Sequence, residues 1–168
     1  FDGTNDLIYK KLRAVELLGL KIKAIDNCKK NNIGVVLVPT LVPDVNLDDI
    51  GNIIDFALDN IPTVRGVHFQ PVSYFGRFSE VPQNMRITIP QVIRYIESQT
   101  DGRIKKESFK PPGCENAFCS FHGNFMYKGE GKLMAITSKS SSCCEKPKRA
   151  DIGAQKEIGR ASCRERGS

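Results

Sequence analysis

Six cysteines stand in this chain, and four of them are grouped in a way that could hold a metal. Cys114 and Cys119 have four residues between them, and 23 more lead to the adjacent pair Cys143 and Cys144. Thiolates from several chain positions suit zinc or an iron–sulfur cluster. The C-x2-C knuckle of structural zinc is absent, whereas a C-x4-C opening occurs in some ferredoxins. No signal peptide is recognisable, so the expected compartment is the reducing cytoplasm, where ligation outranks disulfides. Zinc, unligated thiols and disulfides stay open as alternatives to a cluster. Neighbouring residues project in different directions, so Cys143 and Cys144 are not both expected on one ion. His122 reads as a free, partly exposed side chain, with ligation as its alternative role. Cys28 falls on a helical apolar stripe and reads as core.

A second set of residues sits where apolar runs end. Asp2, Thr4, Thr40, Asn46 and Gln70 are neutral or singly acidic groups, able to hydrogen-bond a ribose, a base or an amino-acid moiety. The alternative for Thr40, Asn46 and Gln70 is plain cap and turn chemistry. No nucleophile–His–acid set and no glycine-rich phosphate loop accompanies them. His68 lies inside a strand and is expected to be a satisfied core histidine.

The elements that must position these groups alternate helix and strand. From Asn5 to Lys30 the apolar residues Leu7, Ile8, Leu12, Val15, Leu18, Ile22, Ile25 and Cys28 follow helical spacing, which predicts one helix with that buried stripe. Residues 34–40 form a continuous apolar run, which suits a strand covered on both faces. Asn46 is expected to cap a second helix, with Asp48 and Asp49 in its first turn and Ile50, Ile53, Ile54, Ala57 and Leu58 on its buried face. Residues 64–71 predict another strand. Thr88 and Pro90 open a third helix that runs to about Gln99, and Asp101-Gly102 closes it. Such alternation makes right-handed βαβ units and a parallel sheet, so the fold class is α/β. The strands are too few to complete a sheet, and the missing ones are expected upstream of Phe1.

After Gly102 the character changes. Residues 103–156 hold Pro111-Pro112-Gly113, the four cysteines, a serine run and little periodicity, with one short hairpin predicted around residues 124–136. Residues 157–166 back-translate into the frame of a common short-read sequencing adapter, so segment 157–168 is set aside as an artefact expected to pack on nothing.

Composition bounds the partners. The chain has 168 residues, 40 % hydrophobic and 26 % charged, which excludes a disordered polypeptide and suits a packed core. No apolar run approaches the ~20 residues of a membrane-spanning helix. The formal charge of +6 is spread over helix faces and a late loop rather than interleaved with aromatics, so no nucleic-acid partner is expected.

The strand ends together resemble a known superfamily. Phe1-Asp2-Gly3-Thr4-Asn5-Asp6 with Tyr9-Lys10-Lys11-Leu12-Arg13 is similar to the end of the fourth strand and the following helix of radical S-adenosylmethionine (SAM) enzymes. Val35-Val36-Leu37-Val38-Pro39-Thr40-Leu41-Val42-Pro43-Asp44-Val45-Asn46 resembles their fifth strand and its loop, and Val67-His68-Phe69-Gln70-Pro71 their sixth strand. Pro111-Pro112-Gly113-Cys114-Glu115-Asn116-Ala117-Phe118-Cys119-Ser120-Phe121-His122, followed by Ser141-Ser142-Cys143-Cys144, resembles one branch more narrowly. That branch contains archaeal tetraether lipid synthases and dihydropterin methyltransferase-like proteins. The likeness runs from Phe1 to about Lys156.

The resemblance implies a partial (β/α)6 TIM-like barrel over residues 1–102, here its C-terminal half, with 103–156 as a cysteine-rich auxiliary-cluster extension. It implies an oxidoreductase or transferase in which a [4Fe–4S] cluster reduces SAM, giving a 5′-deoxyadenosyl radical that abstracts a substrate hydrogen for lipid C–C coupling or methylation. Asp2 and Thr4 would then sit near the SAM ribose or methionine. Thr40, Val42 and Asn46 would line the adenosyl side, and Gln70 would lie at the mouth of the sixth strand. Cys114, Cys119 and Cys143 or Cys144 would hold an auxiliary cluster. The implied partners are a small-molecule or lipid substrate and an electron donor, with access to a membrane surface if the substrate is a lipid. The C-x3-C-x2-C set of the radical-generating cluster and the early glycine-rich SAM motif have no counterpart in these residues and are expected upstream. This chain alone is therefore expected to be inactive. The rival expectation is a non-catalytic structural zinc module.

Overall fold

Asn5 opens the first helix, α1 (Asp6–Arg13), by accepting the Ile8 N–H at 3.1 Å on its side-chain oxygen. The computed structural model describes residues 1–74, 86–111, 120–129 and 131–137. They belong to two compact units, Phe1–Gly102 and Arg103–Ser168.

The single helix expected over residues 5–30 is in fact two. Ala14 adopts a left-handed conformation (φ 62°) and stops α1, and α2 (Leu18–Lys30) starts four residues later. The start of α2 has no cap of its own. Asp6, in the first turn of α1, accepts the Leu17 and Leu18 N–H groups at 3.0 and 2.9 Å and so satisfies two orphan donors. The break also splits the expected stripe. Ile8 and Ile25 are buried and Leu12, Leu18 and Cys28 are half-buried, but Leu7, Val15 and Ile22 are exposed. Tyr9, outside the stripe, is fully buried.

The apolar run that follows is a strand in two pieces, β1 (Val35–Leu37) and β2 (Thr40–Leu41). α3 (Ile50–Asp59) crosses back to β3 (Val64–Val67) and β4 (Gln70–Pro71). β1 pairs with β3 and β2 with β4, both in parallel, with Val35 opposite Val64 and Thr40 opposite Gln70. His68 N–H to Leu37 O (2.7 Å) and Gln70 N–H to Pro39 O (2.9 Å) carry the ladder across the interruption. Ile25, Leu37, Ile53, Ala57 and Val64 form the core on one face, with Phe1, Phe56, Val67 and Phe69 against it. Ile50, Ile53, Ile54 and Ala57 of α3 are buried, as their spacing predicted.

Among the described residues one face of the strand is covered, not the two that were expected. Leu37, Pro39 and Leu41 are buried, but Val36 and Val38 are 57 % and 45 % exposed. Residues alternate across a strand, and within the described residues α2 and α3 both pack on the face that carries Leu37. His68 lies on the open face. It is exposed, with no side-chain hydrogen bond among the described residues, so it is not the satisfied core histidine expected from its position.

α4 (Ile89–Gln99) begins where Thr88 and Pro90 predicted, and the Gln91 side chain accepts the Thr88 N–H at 2.8 Å. It ends in a left-handed pair, Asp101 and Gly102, whose Gly102 N–H reaches Glu97 O at 3.0 Å. α4 docks on the start of α3 through Gln99, which accepts the Gly51 N–H (2.9 Å) and donates to Leu47 O (2.7 Å).

In the second unit, β5 (Phe125–Tyr127) and β6 (Leu133–Ala135) form the expected antiparallel hairpin. Phe109 meets Phe121 and Phe125 edge-on, with centroids 5.2 and 6.1 Å away. Lys110 and His122 exchange both backbone hydrogen bonds at 2.9 Å, as in an antiparallel bridge. Cys114, Cys119, Cys143, Cys144 and segment 157–168 lie outside the described residues. No described helix is long and apolar enough to cross a membrane.

Candidate functional site

Three segments meet at the carboxyl ends of the strands: residues 2–4, residues 40–42 after β2 begins, and the turn at 46–49 that leads into α3. In parallel α/β folds this end is where ligands bind. Each segment is tied to the others by a polar side chain that is itself buried.

Asp2 is the first tie. Its carboxylate, 4 % exposed, accepts Arg13 Nε at 3.0 Å, Arg13 Nη2 at 3.1 Å and the Thr40 N–H at 3.1 Å. Burial alone raises a carboxyl pKa, but the Arg13 hydrogen bonds, then the Thr40 N–H and the guanidinium charge, outweigh it and hold Asp2 below the usual range. The Asp2 N–H donates to the buried Tyr9 hydroxyl at 3.2 Å, and desolvation pushes that phenol's pKa up. α1 therefore supplies two of the groups that hold this segment.

Asn46 is the second tie. It was expected as a helix cap, yet its side chain makes no cap hydrogen bond, and a 3-10 turn (Leu47–Asp49) separates it from α3. Its carboxamide, 1 % exposed, instead accepts the Val42 N–H at 2.8 Å and donates to Asp2 O at 2.9 Å and Thr40 O at 2.7 Å. Three backbone groups that cannot pair with each other are satisfied at once.

Asp49 is the third. It accepts the Thr4 N–H at 2.6 Å, the Thr4 hydroxyl at 2.7 Å and Asn52 Nδ2 at 2.8 Å. Sequence reasoning gave Asp49 only a place in a helix dipole and gave Arg13 none. A signal for Arg13 was its position on the helix that follows Asp2, a place it shares with Lys10 and Lys11.

The structure thus brings Asp2, Thr4, Thr40, Val42 and Asn46 into one knot. Thr40 stands opposite Gln70 across β2 and β4. Asp2, Thr4 and Asn46 have intramolecular partners, while the side chains of Thr40 and Gln70 have no hydrogen bond among the described residues. The carboxamide of Gln70 and the hydroxyl of Thr40 can both donate and accept toward a ligand. A metal cannot be placed with the described side chains, since no three His, Cys, Asp or Glu gather among them. Cys28, the cysteine that is described, lines an apolar pocket beside Phe1, Lys21, Ile25 and Val36.

Over 113 residues the chain is 49 % identical to 7,8-dihydro-6-hydroxymethylpterin dimethyltransferase from Methanocaldococcus jannaschii. The two are homologues. The aligned stretch covers 66 % of this chain and 22 % of the relative, so the chain spans about a fifth of that methyltransferase's length. No family model matches the chain.

Proposed function

We propose that this chain is part of a radical SAM methyltransferase acting on a reduced pterin. The observation that carries this is the 49 % identity to a dihydropterin dimethyltransferase. The strand-end residues that resemble radical SAM enzymes agree with it, as does the Cys114–Cys119–Cys143-Cys144 pattern. Methylation is favoured over lipid coupling because that relative is a methyltransferase. The architecture we assign is part of a (β/α)6 barrel, with β1–β2 and β3–β4 as adjacent parallel staves.

In this reading Thr40, Val42 and Gln70 face SAM, and Asp2, Asn46 and Asp49 hold the backbone that presents them. SAM and a [4Fe–4S] cluster supply the radical chemistry, while the protein orients the reacting groups and excludes water. Thr40 and Gln70 fit a ribose or adenine edge because their polar atoms are uncommitted. Cys114, Cys119 and Cys143 or Cys144 are the candidates for an auxiliary cluster.

The test is anaerobic reconstitution of the complete enzyme that carries this segment, with iron, sulfide, reductant and SAM. Formation of 5′-deoxyadenosine together with methylated 7,8-dihydro-6-hydroxymethylpterin is the expected result. Complete enzyme that holds zinc and no iron, and leaves SAM intact, overturns the proposal.

A further inference from the structure

The open face of the β1–β4 sheet carries a pattern that the strand-end site does not use. On that face lie Val36, Val38 and Thr40 of one strand, with Gly66, His68 and Gln70 of the other. Thr40 and Gln70 are at the carboxyl end. His68 is two residues deeper on the same side as Gln70, about 7 Å along the strand. Beside it the wall is apolar: Val36 and Val38 expose their side chains, and Gly66 has none. A Cβ placed on Gly66 would meet no atom within 4 Å, so the surface there is open and flat.

Parallel sheets are normally covered on both faces. An imidazole halfway along such a strand loses its water when the face is covered, and it must then find a hydrogen-bond partner. Among the described residues its side chain has no such partner: Val38 stands opposite it, Gly66 and Gln70 flank it on its own strand, and no hydrogen bond joins it to Gln70. A glycine within a strand often marks close approach by a ligand or another backbone. The wall therefore suits an occupant that is flat, mostly apolar over its face, and polar at its edge.

We infer that His68 contacts the heterocyclic substrate, its imidazole hydrogen-bonding the edge of the pterin ring while the ring lies against Val36, Val38 and Gly66. This rests on the methyltransferase reading above. A reduced pterin has a flat face and alternating donors and acceptors around its rim, which an imidazole can meet with either ring nitrogen. The arrangement also places the substrate next to the Thr40–Gln70 pair proposed for SAM, where methyl transfer needs it.

The experiment uses the complete enzyme and two readouts. In the first, diethylpyrocarbonate modifies histidines of the wild-type protein with and without 7,8-dihydro-6-hydroxymethylpterin, and peptides containing His68 and His122 are quantified. We expect the pterin to slow modification of His68 several-fold and leave His122 unchanged. In the second, His68→Ala raises the KM for the pterin about tenfold, the loss of one hydrogen bond, and His68→Gln recovers part of it. The KM for SAM moves less than twofold in both variants. A His68 that reacts equally fast at saturating pterin overturns the inference even if the variants fail to fold. Equal rises in both KM values overturn it as well, by making His68 a structural residue. A wild-type enzyme that methylates no pterin overturns the functional reading first, and this contact with it.

Discussion

Asp2 and Asn46 show how much of a binding site can be spent on holding itself together. By residue type they looked like ligand contacts, and a one-dimensional sequence has no way to show that their polar atoms are taken. Asn46 satisfies Val42 N–H, Asp2 O and Thr40 O within 3 Å, so Asn46→Ala strands one buried and two part-buried backbone groups and should cost about 2 kcal/mol in urea unfolding. Asp2 carries a pH dependence of definite sign. Its folded pKa is depressed, so its stabilising effect is complete above the unfolded value of about 4 and fades as pH falls through the lower folded value. The melting temperature of wild type should therefore exceed that of Asp2→Asn near neutrality, and the two should converge as pH falls through the lowered folded value. A gap that stays constant with pH would show that the Arg13 pairing does not discriminate between the two forms of the carboxyl.

The elements were legible where one period ran without interruption. α3 announced its buried face though not its start, which Asn46 does not cap, and α4 announced its cap and its end locally, because Thr88, Pro90 and Asp101-Gly102 act on backbone within a turn of themselves. The α1–α2 break was hidden because the apolar spacing continues through it; what makes it is left-handed Ala14 and a carboxylate eleven and twelve residues away in sequence from the amides it caps. The open sheet face was hidden for a related reason, since a run of valines reads the same whether or not something lies over it. Packing between elements was equally silent. Gly51 has Gln99 O only 2.5 Å from where a Cβ would be, a contact with backbone that cannot swing away. Gly51→Ala should push α4 off α3 and cost about 2 kcal/mol, read as a lower urea midpoint, despite alanine's better helix propensity. An unchanged or raised midpoint would mean that the two helices slide apart freely.

At the scale of the whole molecule, the chain aligns with about a fifth of a methyltransferase and supplies one wall of the proposed site. Reconstituted with iron and sulfide, it should turn brown, with absorbance near about 400 nm, and lose that colour in Cys114→Ala or Cys119→Ala. A colourless chain that retains zinc would favour the rival module. The same reconstituted chain should release no 5′-deoxyadenosine from SAM, and sustained release would show that the chemistry needs fewer residues than proposed.

The bridge between Lys110 and His122 bears on that metal in the language of polymer statistics. Two backbone hydrogen bonds pin together the ends of the eleven-residue stretch 111–121, whose sequence includes both Cys114 and Cys119. Closing a flexible loop of that length carries an entropic penalty that grows as the logarithm of its length and amounts to about 2 kcal/mol. Here the pleat closes it through peptide groups alone, with Phe109 clasped by Phe121 and Phe125 alongside. For the cluster proposed on Cys114 and Cys119, part of that closure cost is therefore met before any ligand binds. Capture by one of these thiols would then leave the other at high effective concentration, which favours retention over release.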